Sequence, residues 1–316
     1  MNLFSQGAGE PMCAVWESSD GSVLFPFILR DIPPIGSPTA DAALKDIVSP
    51  YGYGGAFVWG TMDVEAAAEL FSDAFDKWAS QNRVVSEFVR LSLFPNSILP
   101  FDGDTSVNQM NVVCDLSLDE EALWMGFEHK VRKNVNRARK SGVTVVVDEV
   151  GERVDDFVRI YEGTLDRRSA RANYYFDIEF FKRVHEQLGG QYAYFHALHA
   201  GAVVSTELVL LSAQTAYSFL GGTESTAFDL RPNDFLKYEI IRWVKNSGRQ
   251  WFVLGGGYEP DDGIFRYKKA FAPNGIRPFT VGRRVFDTRT YERLVAARDA
   301  DATRQKSSGF FPEYRS

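Results

Sequence analysis

The order of the predicted elements indicates an α+β protein with mixed, mostly antiparallel sheets flanked by helices. In the second half of the chain, two helical segments precede two strands, 192–199 and 203–212. The turn residues Ala200 and Gly201 join these strands, so they form an antiparallel hairpin. A further helix and more strands follow. Helices and hairpins grouped in this way are typical of α+β rather than doubly wound folds.

The first half of the chain contains three apolar runs that predict strands, at 22–29, 87–93 and 111–116. The segment 49–55 is predicted to be a glycine-rich loop. A helix is predicted from Asp63 to Trp78, because apolar residues recur there with helical spacing. The residues that share this face are Ala67, Leu70, Phe71, Ala74 and Trp78.

The second half begins with a strand at 143–148 and two helices, near 154–164 and 180–188, each with apolar residues on one face. After the hairpin, a strand from Tyr217 is predicted to end at Gly221 and Gly222. A helix over 234–246 ends before Gly248, which is a suitable C-cap. The last strand runs into three glycines at 255–257, and a closing helix is predicted from 288 to about 304.

Length and composition predict a folded protein of two domains. A chain of 316 residues exceeds what one hydrophobic core usually organises, and 45% of it is apolar. We place the first domain at 1–148, with 281–316 returning to it, and the second at 149–280. The net charge of −7 argues against general coating of nucleic acid.

The remaining compositional signals concern compartment and oxidation state. Two distant cysteines, Cys13 and Cys114, indicate neither a disulfide framework nor a zinc site, so no metal is expected. Neither a signal sequence nor an apolar run of membrane-spanning length is present, and a cytoplasmic location is therefore expected. The oligomeric state does not follow from the sequence.

A basic helix follows Glu128. Its apolar residues Phe127, Val131, Val135 and Ala138 form one stripe, which leaves the basic side chains on the outer faces. The basic residues assigned to binding RNA or phosphate are Lys130, Arg132, Lys133 and Arg137. Such a run is often only a solvated face, but few acids are present here to form pairs along the helix. Both interpretations, phosphate binding and a solvated face, stay open at this point.

Lys268 is the candidate catalytic residue. It lies between aromatic residues, soon after the three glycines that end the last strand. Glycines let a substrate approach the backbone, and desolvation strengthens a charge at short range. One cation in such a place suits the stabilisation of an anion that develops during a reaction. We read the segment around Lys268 as a strand, which would place Lys269 on the opposite face.

Several motifs follow one another along the second half of the chain. They are the basic helix 130–142, Tyr161-x-x-Thr164-x-x-Arg167 with Tyr174-Tyr175-Phe176, Gly221-Gly222, 231–236, 254–257 and 265–271. In this order, they resemble the Fem family of aminoacyl-tRNA-dependent transferases, with its acetyltransferase-like GNAT relatives. The resemblance covers about residues 120–280, and residues 1–120 match more loosely.

The resemblance implies two tandem domains of the GNAT acyltransferase type. It also implies transfer of an aminoacyl group from aminoacyl-tRNA to an amine of a peptidoglycan precursor or peptide-like metabolite, with Lys268 stabilising the transition state. Tyr267 stands where the family usually has Phe, and the long helical arm of some members has no counterpart. The residues assigned to substrate binding are Thr164, Arg167, Tyr175, Tyr217, Gly256 and Tyr267; Tyr217 also suits a core position.

Three other classes compete with this interpretation. An acyl-CoA N-acyltransferase usually needs a glycine-rich turn that holds the pyrophosphate, and the turn at 229–234 has no glycine, so CoA is disfavoured and no cofactor is expected. A non-catalytic RNA-binding module is disfavoured, because the basic helix lacks interleaved aromatic residues for stacking. A metal or serine hydrolase is excluded, because His196 and His199 fall on opposite faces of a strand and no G-x-S-x-G motif occurs.

Overall fold

The computed structural model describes residues 8–34, 43–300 and 309–316. The chain folds into two compact units. The first unit takes the described residues up to Gln109 together with those from Pro278 onward, and the second unit spans Met110–Arg277. The chain thus leaves the first unit once and returns to it at its C-terminal end.

The described residues of the first unit form a sheet with two α-helices. The strand order is β1-β2-β3-β5-β12, with β4 also paired to β2. Only the β3–β5 pair is parallel, and the remaining pairs are antiparallel. The elements are β1 (Glu10–Glu17), β2 (Gly21–Asp31), β3 (Lys45–Val48), β4 (Phe57–Gly60), α1 (Val64–Gln81), β5 (Val84–Arg90), β12 (Ile276–Val285, from residue 278 on) and α8 (Thr288–Asp299).

Helix α1 forms where the sequence predicts it. The Asp63 carboxylate caps it by accepting from the backbone N–H groups of Glu65 and Ala66. Its apolar face then packs on the sheet through aromatic edges, with the Phe75 ring 5.4 Å from that of Phe25. A cluster of phenylalanines therefore forms the core beneath this helix.

The second unit has the strand order β6-β11-β10-β9-β8-β7. The pair β10–β11 is parallel and the other pairs are antiparallel. The strands are β6 (Asp104–Asp115, from residue 110 on), β7 (Thr144–Asp148), β8 (Tyr192–His199), β9 (Ala202–Leu211), β10 (Thr215–Thr223) and β11 (Trp251–Gly255). The helices are α2 (Glu120–Gly126), α3 (His129–Lys140), α4 (Val154–Arg167), α5 (Ile178–Gln187), α6 (Pro232–Asn246) and α7 (Gly263–Lys269).

The α+β class with mixed, mostly antiparallel sheets is confirmed. Strand β8 has the predicted bounds, and β10 continues through the two glycines to Thr223 instead of ending at them. The region around Lys268, read as a strand from the sequence, is the helix α7. In the described part of the chain, no helix combines the length and the apolar character needed to cross a membrane.

The division between the units differs from the predicted boundary at residue 148. Residues 110–148 lie in the second unit. The reason is the apolar stripe of the basic helix, since Val131, Val135 and Ala138 are buried in one core with Ile240 and Val244 of α6. The described residues from Pro278 onward lie in the first unit.

Glu87 makes the stability of the first unit pH-dependent. The residue is only 3% exposed, and burial raises the pKa of its carboxyl from 4.5 to about 8, with Arg284 opposing the shift. Between these values the folded chain holds a proton that the unfolded chain has lost, so the free energy of unfolding falls as pH rises.

We expect Glu87→Gln to remove this dependence, because the amide stays neutral. From pH 4.5 to pH 7, the free energy of unfolding should fall by roughly 3 kcal/mol less in Glu87→Gln than in the unchanged protein. Urea unfolding at several pH values measures the effect, and Glu69→Gln on the exposed face of α1 serves as the control. Parallel stability curves for Glu87→Gln and the unchanged protein would contradict the prediction.

Candidate active site

Strands β10 and β11 provide the framework of the candidate site. They pair in parallel from Thr215 and Trp251 to Tyr217 and Val253. Just beyond this stretch, the pairing of β10 with β9 shifts register between Ser218 and Leu220. Irregular pairing next to a parallel junction re-aims side chains and frees backbone groups, as is common near active sites.

The glycines after β11 fold back onto the start of α7. The Asp262 carboxylate caps this helix by accepting from the N–H of Phe265, and it also accepts from Tyr258 and Glu259. A Cβ atom on Gly257 would lie 2.3 Å from the Asp262 carboxylate, so only glycine fits there. The requirement for glycine at position 257 is therefore explained by the cap of α7.

Lys268 lies in the last turn of α7 and is half-buried. Its Nζ donates to the carbonyl oxygen of Gly256 at 2.7 Å, which joins two of the predicted site residues. Burial, followed by the Lys237 charge, lowers the pKa of the Lys268 ammonium to about 8, whereas Glu207 and Asp262 oppose the shift. The cation predicted from the sequence is thus held at the end of β11 in a partly desolvated place.

Three polar residues that the sequence analysis missed lie near Lys268. The Lys237 ammonium on α6 is paired with the Glu207 carboxylate on β9. Ser218 of β10 donates to Glu207 at 2.7 Å and accepts from Lys237 at 2.9 Å. Glu207 is 8% exposed and Lys237 4%, so this is a buried ion pair. The available signal was one charged residue, Glu207, in a strand that carries no other charge, and a lysine among the apolar residues of a helix.

Tyr267 is directed into the protein. Its hydroxyl donates to the carbonyl oxygen of Asn233 at 3.1 Å, and its ring meets Phe271 edge-on at 5.3 Å. Burial, with Asp234 and Glu207, raises the pKa of the phenol, which therefore stays protonated. The hydroxyl fixes α7 against the first turn of α6, a role that the usual Phe at this position could not supply.

Thr164, Arg167 and Tyr175 form a second group, around the end of β10. The Arg167 guanidinium donates to Thr164 Oγ1 at 3.3 Å and to the carbonyl oxygen of Thr223 at 3.2 Å. It also lies over the Phe228 ring, 5.1 Å from the centroid. Tyr175 donates to Asp166 at 2.7 Å. Arg167 remains exposed, so its outer edge is accessible.

Tyr217 lies apart from both groups. It is adjacent to Ser218 in β10, and neighbouring strand residues point to opposite faces. Its hydroxyl interacts with Thr215 and Ser212 near the beginning of the strand, and burial raises its pKa. The Tyr217 side chain is half-buried, and its role in substrate binding stays a prediction.

The basic helix α3 presents its charges on two faces. Lys130, Lys133 and Arg137 have the spacing of one stripe, and all three are exposed. Arg132 faces the other way and donates to the carbonyl oxygens of Met125 and Phe127. The structure thus assigns Arg132 to fastening the end of α2, and leaves three of the four predicted residues as a surface stripe.

The start of α6 connects the basic helix with the Lys268 region. Asn134 of α3 donates to the buried carboxylate of Asp234 at 3.1 Å. Burial raises the pKa of Asp234, while Asn134 and Arg231 counteract the shift.

Within residues 8–34, 43–300 and 309–316, no three His, Cys, Asp or Glu side chains are grouped so as to hold a metal ion.

Comparisons with known proteins agree with this architecture. Residues 126–269 match the family model described as an acetyltransferase (GNAT) domain. The chain is similar to the crystal structure of FemX, with a TM-score of 0.68, 13% identity and 92% of each chain covered. A comparison with curated sequences gave no match.

Two further solved structures are similar. One is the C-terminal domain of a putative lysylphosphatidylglycerol synthetase from Agrobacterium fabrum, with a TM-score of 0.55, 15% identity and 87% of this chain and 84% of that chain covered. The other is L-PGS from Bacillus licheniformis, with a TM-score of 0.54, 13% identity and 90% and 88% covered.

The fold and the matched domain define the class of protein. The fold is that of tandem GNAT-type proteins, and the match to the acetyltransferase (GNAT) domain lies within the second unit. Within this class the arrangement is FemX-like, as the sequence resemblance implied.

The close contact of β10 with α4 gives a stability test. A Cβ atom on Gly222 would lie 2.5 Å from Thr164 Oγ1 and 2.7 Å from the Ile160 carbonyl oxygen. We expect Gly222→Ala to destabilise the protein by roughly 1–3 kcal/mol, because the strand and helix must separate. Thermal or urea unfolding measures the change.

The matched control is Gly163→Ala, in the helix α4 against which Gly222 packs. No atom lies within 4 Å of a Cβ placed there, so alanine should stabilise α4 by about 0.5–1 kcal/mol. Equal effects of the two substitutions would show that the Gly222 contact is not as close as described.

Proposed function

We propose that the protein is an aminoacyltransferase that forms an amide bond. It would move an aminoacyl group from aminoacyl-tRNA to an amine of a peptidoglycan precursor or a peptide-like metabolite. The observation that carries the proposal is Lys268, a single half-buried ammonium held on the Gly256 carbonyl in a GNAT-type unit. The name of the Agrobacterium relative, a putative lysylphosphatidylglycerol synthetase, also refers to an aminoacylated product.

The chemistry matches what Lys268 can supply. The amine nitrogen attacks the ester carbonyl, a C–N bond forms, and the carbonyl oxygen becomes an oxyanion. Collapse of this intermediate breaks the ester C–O bond, and the proton lost by the amine ends on the ribose oxygen. An ammonium has three donors, of which one is used on Gly256, so donors remain for the oxyanion.

The charge state of Lys268 agrees with this role at neutral pH. A pKa of about 8 leaves most of the lysine protonated at pH 7. Since an aminoacyl ester is already activated, positioning of the amine and stabilisation of the oxyanion are the main requirements.

The acceptor site is assigned to the group around Arg167. Its guanidinium is oriented by Thr164 and Thr223, and its exposed edge suits a carboxylate or phosphate of the acceptor. Arg171 lies over the Tyr258 ring at 5.6 Å, next to the glycine loop. This contact connects the second group with the loop that carries Gly256.

An acyl-CoA donor is the alternative that the matched acetyltransferase domain suggests. The start of α6 offers little to a pyrophosphate: Pro232 lacks an N–H, Arg231 has a left-handed backbone with φ of 58°, and the carboxylate of Asp234 adds negative charge. These features support the tRNA donor over CoA.

The decisive experiment supplies both donors separately. The purified protein is incubated with a charged tRNA pool and with acetyl-CoA, and acyl transfer to candidate amines is scored by mass spectrometry. Transfer from charged tRNA alone supports the proposal, whereas transfer from acetyl-CoA alone overturns it in favour of the CoA-dependent alternative.

We expect Lys268→Met to lower kcat by about a hundredfold or more with little change in KM, as the loss of one oxyanion donor does. The control is Lys269→Met, which changes the neighbouring lysine on the same helix. Its side chain projects about 100° away around the helix, so its effect should be much smaller. A Lys268→Met defect confined to KM would make Lys268 a binding residue.

For the RNA contact, we expect the double variant Lys133→Ala and Arg137→Ala to weaken binding of charged tRNA. The slope of log affinity against log salt should decrease by about 1.5, because two phosphate contacts are lost. Arg132→Ala is the contrast, since that guanidinium is used on the end of α2. An unchanged salt slope in the double variant would indicate that this stripe is only a solvated face of the helix.

A further inference from the structure

A small cavity lies in the first unit, between helix α1 and the sheet. All of its lining residues belong to this unit. Its walls are rich in aromatic rings, which come from Phe25 of β2, Phe71 and Phe75 of α1, and Phe101. The cavity has a volume of about 40 Å³, which is room for about three water-sized groups. It therefore suits a short, slender ligand or the end of a longer one.

Glu87 places a carboxyl group in this cavity. Glu87 and Val89 alternate along β5, so their side chains face the same side of the sheet, and both line the cavity. Glu87 is 3% exposed, yet within the described part of the chain its carboxyl makes no hydrogen bond or ion pair. A buried polar group without a partner is unfavourable, and a ligand that pairs with it removes that cost.

The charges around the cavity are predominantly negative. The Arg284 guanidinium of β12 pairs with Asp76 of α1 at 2.7 Å and with Asp102 at 2.8 Å, and it donates to Ser72 at 3.2 Å. The second carboxylate oxygen of Asp76, Oδ1, is buried without a hydrogen-bond partner. When Glu87 is ionised, three carboxylates thus face one guanidinium, and this excess of negative charge attracts a cation.

We propose that this cavity binds a primary alkylammonium group, whose nitrogen pairs with the Glu87 carboxylate while its short apolar chain lies between the aromatic rings. The faces of aromatic rings attract a cation, and burial of the chain removes apolar surface from water. An anion would be repelled, and a neutral apolar molecule would leave Glu87 without a partner. Binding at this site does not depend on the transfer reaction proposed for Lys268.

Binding should release a proton at neutral pH. Burial raises the pKa of Glu87 to about 8; Arg284 opposes the shift, and Asp76 and Asp102 add to it. At pH 7 the carboxyl is therefore mostly protonated, whereas pairing with an ammonium requires the carboxylate. About one proton should leave for each ammonium bound, so affinity should rise with pH and level off above about 8.

The test is calorimetric titration of the whole chain with n-butylammonium, in buffers that differ in ionisation enthalpy. 1-Butanol and butyrate are the neutral and anionic probes of similar length. We expect butylammonium to bind with release of about one proton, and the other two to bind about tenfold more weakly or worse. Glu87→Gln should weaken butylammonium binding to the same degree and abolish the proton release. Glu69→Gln on the exposed face of α1 should change neither.

Ala68→Leu tests the cavity with Glu87 retained. Ala68 lines the cavity from α1, so leucine should fill it and abolish butylammonium binding even if Glu87→Gln fails to fold. The proposal is overturned if the unchanged protein binds no butylammonium, or binds 1-butanol equally well. It is also overturned if folded Glu87→Gln or Ala68→Leu binds butylammonium as the unchanged protein does.

Discussion

The first two turns of α6 hold together the parts of the second unit that form the candidate site. Asp234 accepts from the basic helix through Asn134, and the Asn233 carbonyl accepts from Tyr267 on α7. One turn later, Lys237 pairs with Glu207 of β9. Three polar contacts within five residues therefore connect α3, α7, which carries Lys268, and the sheet.

Burial gives these contacts their importance. Asp234, Lys237 and Glu207 are each less than a tenth exposed, so each would be strongly unfavourable without its partner. The same desolvation strengthens their effect on Lys268, because charges interact over longer distances where water is excluded. In this unit, the electrostatic environment of Lys268 therefore depends on correct packing.

Glycine has a different function in each of the two motifs that the sequence emphasised. In β10, Gly222 allows α4 to approach the strand, and this approach brings Thr164 and Arg167 to the strand's end. After β11, Gly257 makes room for the carboxylate that caps α7. Both glycines thus allow close packing, and the neighbouring Gly256 accepts a hydrogen bond from Lys268 through its carbonyl oxygen.

Sequence periodicity determined much of the fold. The stripe Phe127, Val131, Val135 and Ala138 predicted α3, and all four residues are buried. The order of motifs predicted Lys268, Arg167 and the basic helix as parts of the candidate site. Periodicity failed for the short segment 263–269, because seven residues are too few to separate a helix from a strand without recognising the Asp262 cap.

Only the tertiary structure decided which charges act together. Glu207, Ser218, Lys237 and Lys268 come from four elements and are up to 61 positions apart, so no local pattern relates them. The same holds for the split of the basic helix, where Arg132 fastens α2 and Lys133 and Arg137 face outward. Local sequence determined the elements because backbone preferences and apolar spacing are short-range, whereas burial and pairing of charges exist only once distant segments have packed.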